Sequence, residues 1–145
     1  MDIAADIPAS ITVSEMYRPL LESMLRRSPT FRRQCRRIAA THGLRIMLRP
    51  SQLPLGRLRA RTRLLTTSEG LIAYVDLGGV GTDDPVELIA HELEHVIERL
   101  DGVDLRRLAD LPRTSVRPCE GGAFETVRAH RTGLIVAQEV RSESD

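Results

Sequence analysis

The chain has 145 residues, enough for one domain that buries a core without disulfide staples. Aromatic residues make up 3% and Trp is absent, so the core has to come from Leu, Ile, Val and Ala. The net charge of +1 hides an asymmetry: residues 1–63 carry 13 Arg against 4 acids (+9), and residues 64–145 carry 8 Arg against 16 acids (−8).

The arginines of the basic half are spread over a helix and a hairpin, with few aromatics among them to stack bases. They read as a solvated face that partly offsets the acidic half, and nucleic acid is not the expected partner. Two cysteines, Cys35 and Cys119, lie far apart and outside any C-x-x-C pattern, so no disulfide framework is expected. No apolar run reaches the length of a membrane span. The opening "MDIAADIPASIT" has neither the basic start nor the apolar middle of an export signal. That fits a cytoplasmic protein and equally a mature fragment whose signal has been removed.

In chain order, "SEMYRPLLESMLRRS" predicts a helix capped by Ser14, with Met16, Leu20, Leu21, Met24 and Leu25 on its apolar side and Pro19 as a complication. "SPTFRRQCRRIAATHG" predicts a second helix. Ser28 is its N-cap, Pro29 lies in its first turn, Phe31, Cys35, Ile38 and Ala39 form the stripe, and Gly43 ends it. Three strand-like runs follow over 44–77: "LRIMLRP", "LGRLRARTRLLTT" and "LIAYVDL", with a hairpin turn at Ser68, Glu69 and Gly70 between the last two.

"GGVGTDDPVE" is glycine-rich but lacks the Lys-Ser/Thr pair of a phosphate-binding loop, so it reads as the approach to a helix. Asp84 is the N-cap, Pro85 sits at N1 and Glu87 at N3, and the helix runs over 84–100 until "DG" stops it. A polar connector over 101–121 holds a short turn at "LRRLAD", and a last helix is predicted over 123–139.

The helix over 84–100 carries "HELEH": His91 and His95 four apart, with Glu92 directly after the first. Residues i and i+4 stack on one helical face, so both imidazoles can meet one ion at about 2.0–2.1 Å. Glu92 is rotated by about 100° from His91 and can reach a water on the open side of that ion. Zn2+ is the metal that this pattern suggests, with Glu92 as general base.

A third ligand has three candidates. Glu98 sits on the same helix, which cannot bend three of its own residues around one tetrahedral ion. Asp101 imitates a longer metal-binding spacing, but that spacing needs a Gly at the position of Glu98, where the chain would turn. Glu125, in "GGAFETVRAHRTG", lies in the first turn of the last helix as predicted, 30 residues after His95. Phe124, Val127, Leu134 and Ile135 are expected to pack that helix on the first.

On His91, Glu92, Leu93 and His95, then Phe124, Glu125, Thr126 and Ala129, the chain resembles the gluzincin branch of the zincin metallopeptidases. More narrowly, it looks like the minimal single-domain members of that branch and like uncharacterised bacterial zincin-like proteins. The resemblance covers roughly residues 57–140. It implies an α+β fold for a single domain over 1–145: N-terminal helices over 14–43, a small three-stranded antiparallel or mixed sheet, the H-E-x-x-H helix and a second ligand helix. It also implies zinc held by His91, His95 and Glu125, and a peptide or protein substrate bound as an added strand on the Arg57–Tyr74 hairpin.

The sequence departs from the thermolysin-like pattern at Ala129, where that pattern has an Asp bracing a zinc histidine. Tyr74 and His130 are the candidates for oxyanion stabilisation, although Tyr74 reads first as a strand packing residue and His130 as a helix-surface side chain. Cys119 could mask the metal as a thiolate but reads first as a buried structural thiol. Two readings stay open. One is a zinc-dependent peptidase; the other is a zinc-binding interaction or regulatory module that keeps the site without turnover.

Overall fold

The computed structural model describes residues 6–51, 60–78, 84–102, 116–118 and 124–142, with the backbone alone described for 116–118 and 124–125. The expected turn at Leu105–Asp110, Cys119 and the first part of the long strand-like run lie outside the described residues.

The architecture is α+β. A short strand β1 (Ile11–Val13) is followed by α1 (Arg18–Arg27), α2 (Pro29–Ala39), β2 (Leu44–Pro50), β3 (Ala60–Thr67), β4 (Gly70–Leu77) and α3 (Pro85–Leu100). A two-strand ribbon, β5 (Val116–Pro118) and β6 (Phe124–Thr126), then leads into α4 (Val127–Ser142). The main sheet is mixed, in the order β1-β2-β4-β3: β1, β2 and β4 run parallel, and β3 is the antiparallel edge. It therefore has four strands where three were expected. β1 has only three residues, too few for a period-2 pattern to stand out.

Sequence alternation sets which face of the sheet is buried. Leu44, Ile46 and Leu48 of β2 pair with Leu71, Ala73 and Val75 of β4, and these side chains share one face with Leu77, Ile11 and Val13. Helices α2 and α3 add Phe31, Ile38, Ile89, Leu93 and Val96 to that core. Cys35 lies in it too, and burial pushes its thiol pKa up to about 12, so it behaves as a small apolar residue.

The helix termini follow local chemistry. The Ser28 hydroxyl accepts from the Phe31 N–H at 2.9 Å and Asp84 accepts from the Val86 N–H at 2.9 Å, each with Pro in the first turn. Helix α1 starts at Arg18 rather than at Ser14. Pro19 takes the second helical position, where no backbone donor is required, and Ser14 instead donates its N–H to Leu48 in β2. Met16, expected on the apolar side, is exposed. The turn after β3 is Ser68-Glu69, with Gly70 opening β4 at φ +139; a Cβ there would meet the Gly43 carbonyl.

The last helix differs most from expectation. It begins at Val127, and the segment before it is strand β6, so Glu125 lies in a strand and not in a first helical turn. The Thr126 hydroxyl accepts the Ala129 N–H at 2.9 Å and so starts the helix. Val127, Leu134 and Ile135 are exposed, while Ala129, Gly133, Val136 and Ala137 are buried. Small side chains bring α4 close to α3. A Cβ on Gly133 would lie 2.8 Å from the Glu87 carbonyl oxygen and 3.3 Å from the His91 Cβ.

Candidate metal centre

Helix α3 buries His91, Glu92, Glu94, His95 and Glu98, an unusual load of ionisable groups for one helix of an α+β core. Such burial is tolerated only where each group has partners. Glu94 is satisfied structurally. Gln34 of α2 donates to it at 3.0 Å and Arg128 of α4 at 2.6 Å, and Gln34 also donates to the Ala90 carbonyl at 2.9 Å. Glu94 thus ties α2 and α4 to α3.

The remaining groups form one constellation. Ligand atoms of His91, Glu92 and His95 all lie within 4.8 Å of one another, an arrangement that could hold a metal ion. The two imidazoles meet edge to face with ring centroids 4.9 Å apart. His95 places Nδ1 2.9 Å from the Glu98 carboxylate. An ionised carboxylate only accepts, so Nδ1 carries a proton, and in the neutral imidazole Nε2 keeps a lone pair. That Nε2 is buried and has no hydrogen-bond partner among the described residues. A buried acceptor without a donor normally costs about 1–3 kcal/mol, and a cation is the natural occupant for it. The donor set fits a borderline metal: imidazole nitrogen with a carboxylate beside it.

Glu92 is held from the sheet. Thr62 of the edge strand β3 donates to Glu92 Oε1 at 2.7 Å, which leaves Oε2 turned toward the histidines, 4.0 Å from His91 Nε2. A strand hydroxyl, a helix carboxylate and two imidazoles therefore come from two elements whose packing is set by the core.

Among the other sequence candidates, His130 of α4 lies beside the pair, its ring centroid 6.5 Å from that of His91. Glu125 sits in β6 opposite Arg117, two residues before α4, and its side chain lies outside the described residues. Tyr74 is not at the site. Thr62 pairs with Val75 and shares the helix-facing side, so Tyr74, one residue earlier on β4, points to the opposite face of the sheet. There its ring lies under Arg49 and Arg63, at 5.0 and 5.4 Å from the guanidinium carbons. Asp101 is also elsewhere: it follows the last residue of α3 and pairs with Arg128 at 2.6 Å and Arg37 at 3.2 Å. The Arg128 hydrogen bond, with help from Arg37, holds its carboxyl below the usual range.

Two functional contacts, Glu98 to His95 and Thr62 to Glu92, were not anticipated. The first was readable in principle, since His and Glu three apart on a helix are neighbours. The second depends on how the sheet lies over α3. Among the described residues no helix is long and apolar enough to cross a membrane. No protein-family model, curated protein or solved structure matches the chain.

Proposed function

We propose that the protein is a zinc-dependent metallopeptidase of zincin type. The observation that carries this is the buried, unpartnered Nε2 of His95, oriented by Glu98 and adjacent to a carboxylate that the sheet holds in place. His91 and His95 are two metal ligands. Glu125 is the third, supported by its position two residues before a helix whose Gly133 packs against His91 and whose His130 neighbours it. Zinc bound there would acidify a water and polarise a carbonyl oxygen.

With the metal bound, Glu92 Oε2 would be the group placed to accept a proton from a water and return it to the leaving amine nitrogen, while Thr62 keeps Oε1 engaged so that the carboxylate does not rotate away. Glu98 keeps the His95 proton on Nδ1. His130 is the residue nearest to hand for the oxyanion. The substrate backbone pairs with β3, the edge of the sheet among the described strands, which runs past Glu92. The second reading is a zinc-binding module without turnover, in which Thr62 serves only to satisfy a buried carboxylate.

The test measures bound zinc and peptide cleavage for the wild-type chain, Glu92→Ala and Glu125→Ala. Glu92→Ala is expected to keep zinc and lose cleavage by about 10²–10⁴-fold. Glu125→Ala is expected to lose zinc, and full occupancy would remove it from the ligand set. Absence of cleavage by any form across a broad peptide library would favour the module.

A further inference from the structure

We infer that the edge strand selects acidic substrates: the preferred segment is extended and carries Asp or Glu at alternate positions, opposite Arg61 and Arg63. This rests on the edge-strand reading of substrate binding above. β3 has one neighbour, β4, among the described strands. Its residues divide by alternation. Thr62 and Thr66 face α3, where they contact Glu92 and Arg99, and Arg61, Arg63 and Leu65 face the other way.

That other face is basic. Arg45 and Arg49 of β2 and Arg61 and Arg63 of β3 share it, among the described strands, with a single carboxylate, Asp76. Asp76 is already taken, by Arg49 at 2.9 Å and Arg63 at 3.0 Å. Arg61 stands directly across from Asp76 in register, yet its buried Nε has no hydrogen-bond partner among the described residues. The side chain of Arg63 is 48% exposed. A strand added to β3 would set its own side chains beside these two arginines at every second residue, where cross-strand pairs of opposite charge are favoured and like charges are not. The alternate residues of the same strand would point toward α3, where Glu92, held by Thr62, disfavours an acid. The recognised pattern is therefore acid, neutral, acid, neutral.

Arg61 and Arg63 differ in what they already do. Arg63 is partly spent on Asp76 and Tyr74, so Arg61 carries the larger share of the selection. A protein segment fits better than single-stranded nucleic acid. The strand edge offers backbone donors and acceptors, and the one ring on this face among the described strands, Tyr74, is already flanked by Arg49 and Arg63.

The full-length chain carrying Glu92→Gln, loaded with zinc, is titrated with labelled ten-residue peptides whose alternate residues are Glu, Gln or Arg, and binding is read by fluorescence anisotropy. The Glu peptide is expected to bind about tenfold tighter than the Arg peptide. Adding Arg61→Glu should abolish or invert that ratio. Arg61→Gln, which puts no new charge opposite Asp76, should lower it by a smaller factor and covers the case in which Arg61→Glu folds poorly. Equal binding of the three peptides, no binding of any, or a ratio untouched by both Arg61 variants would overturn the inference. So would a decathymidylate that displaces the Glu peptide at lower concentration than the Glu peptide itself. The same peptides offered to the wild-type chain separate the two failures. Cleavage without charge preference sinks the selection alone, while charge-selective binding with no cleavage upholds the selection and sinks the peptidase.

Discussion

At the scale of single residues, the site turns on which nitrogen of His95 carries a proton. Glu98 accepts from Nδ1 at 2.9 Å, with both side chains buried, and in the neutral ring this leaves Nε2 with a lone pair. The contact is short-range on the helix and adds no ligand of its own, so its effect is on orientation and basicity. Glu98→Gln preserves the size of the side chain and removes its charge. It is expected to weaken zinc binding by about 10–100-fold, read by competition with a chromophoric chelator, while far-ultraviolet dichroism of the apo protein stays as in the wild type. Unchanged affinity would mean that His95 is oriented by packing alone. Glu98 also separates reading a motif from reading a site. The three positions of H-E-x-x-H were legible, whereas the group that fixes the tautomer lay three residues on and was weighed only as a ligand.

At the scale of elements, helix α3 was legible because its signals agree: an Asp-Pro start, apolar residues at helical spacing and Asp-Gly after the end. Strands β2 and β4 and the Ser28 cap were legible for the same reason, since local chemistry decides them. Helix α4 was harder. Its largest apolar residues, Leu134 and Ile135, were expected to pack on α3, yet they are exposed, and the buried face is Ala129, Gly133, Val136 and Ala137. Hydrophobicity identifies a helix face only when size does not matter, and here two backbones approach too closely for a large side chain. Gly133→Ala tests this against propensity. On propensity alone the substitution would add about 0.8–1.0 kcal/mol. The new Cβ, however, would lie 2.8 Å from the Glu87 carbonyl oxygen, a backbone atom, and overpacking of that kind costs about 1–3 kcal/mol. The net expectation is a lower melting temperature together with weaker zinc binding, because His91 is the other neighbour of that Cβ. A raised melting temperature would show that α4 can shift freely.

At the scale of the whole molecule, the charge asymmetry between the two halves of the chain becomes a set of cross-half contacts. Arg37 of α2 meets Asp101, Arg49 and Arg63 meet Asp76, and α2 receives at its first turn a carboxylate from the far end of the chain. That last contact joins residues more than 100 apart. The Ser28 hydroxyl donates to Glu139 Oε1 at 2.6 Å, the Thr30 N–H to the same oxygen at 3.0 Å, and the Thr30 hydroxyl to Oε2 at 3.0 Å. Burial by itself would raise the Glu139 carboxyl pKa, but these donors outweigh it and hold the group below its ordinary value of 4.5. A carboxyl whose folded pKa is depressed adds stability that is fully present above the unfolded value and is lost as pH falls through the folded one. Glu139→Gln should therefore lower the urea midpoint at pH 7 by the equivalent of about 1–2 kcal/mol, since hydrogen bonds to charge are worth about 1.5–3 kcal/mol and the site is half-exposed. As the pH drops below 4.5 the wild type should lose this advantage and the two curves converge. A gap of the same size at pH 7 and at pH 3 would mean that the contact acts through shape and not through charge. The clamp would then have no part in acid unfolding.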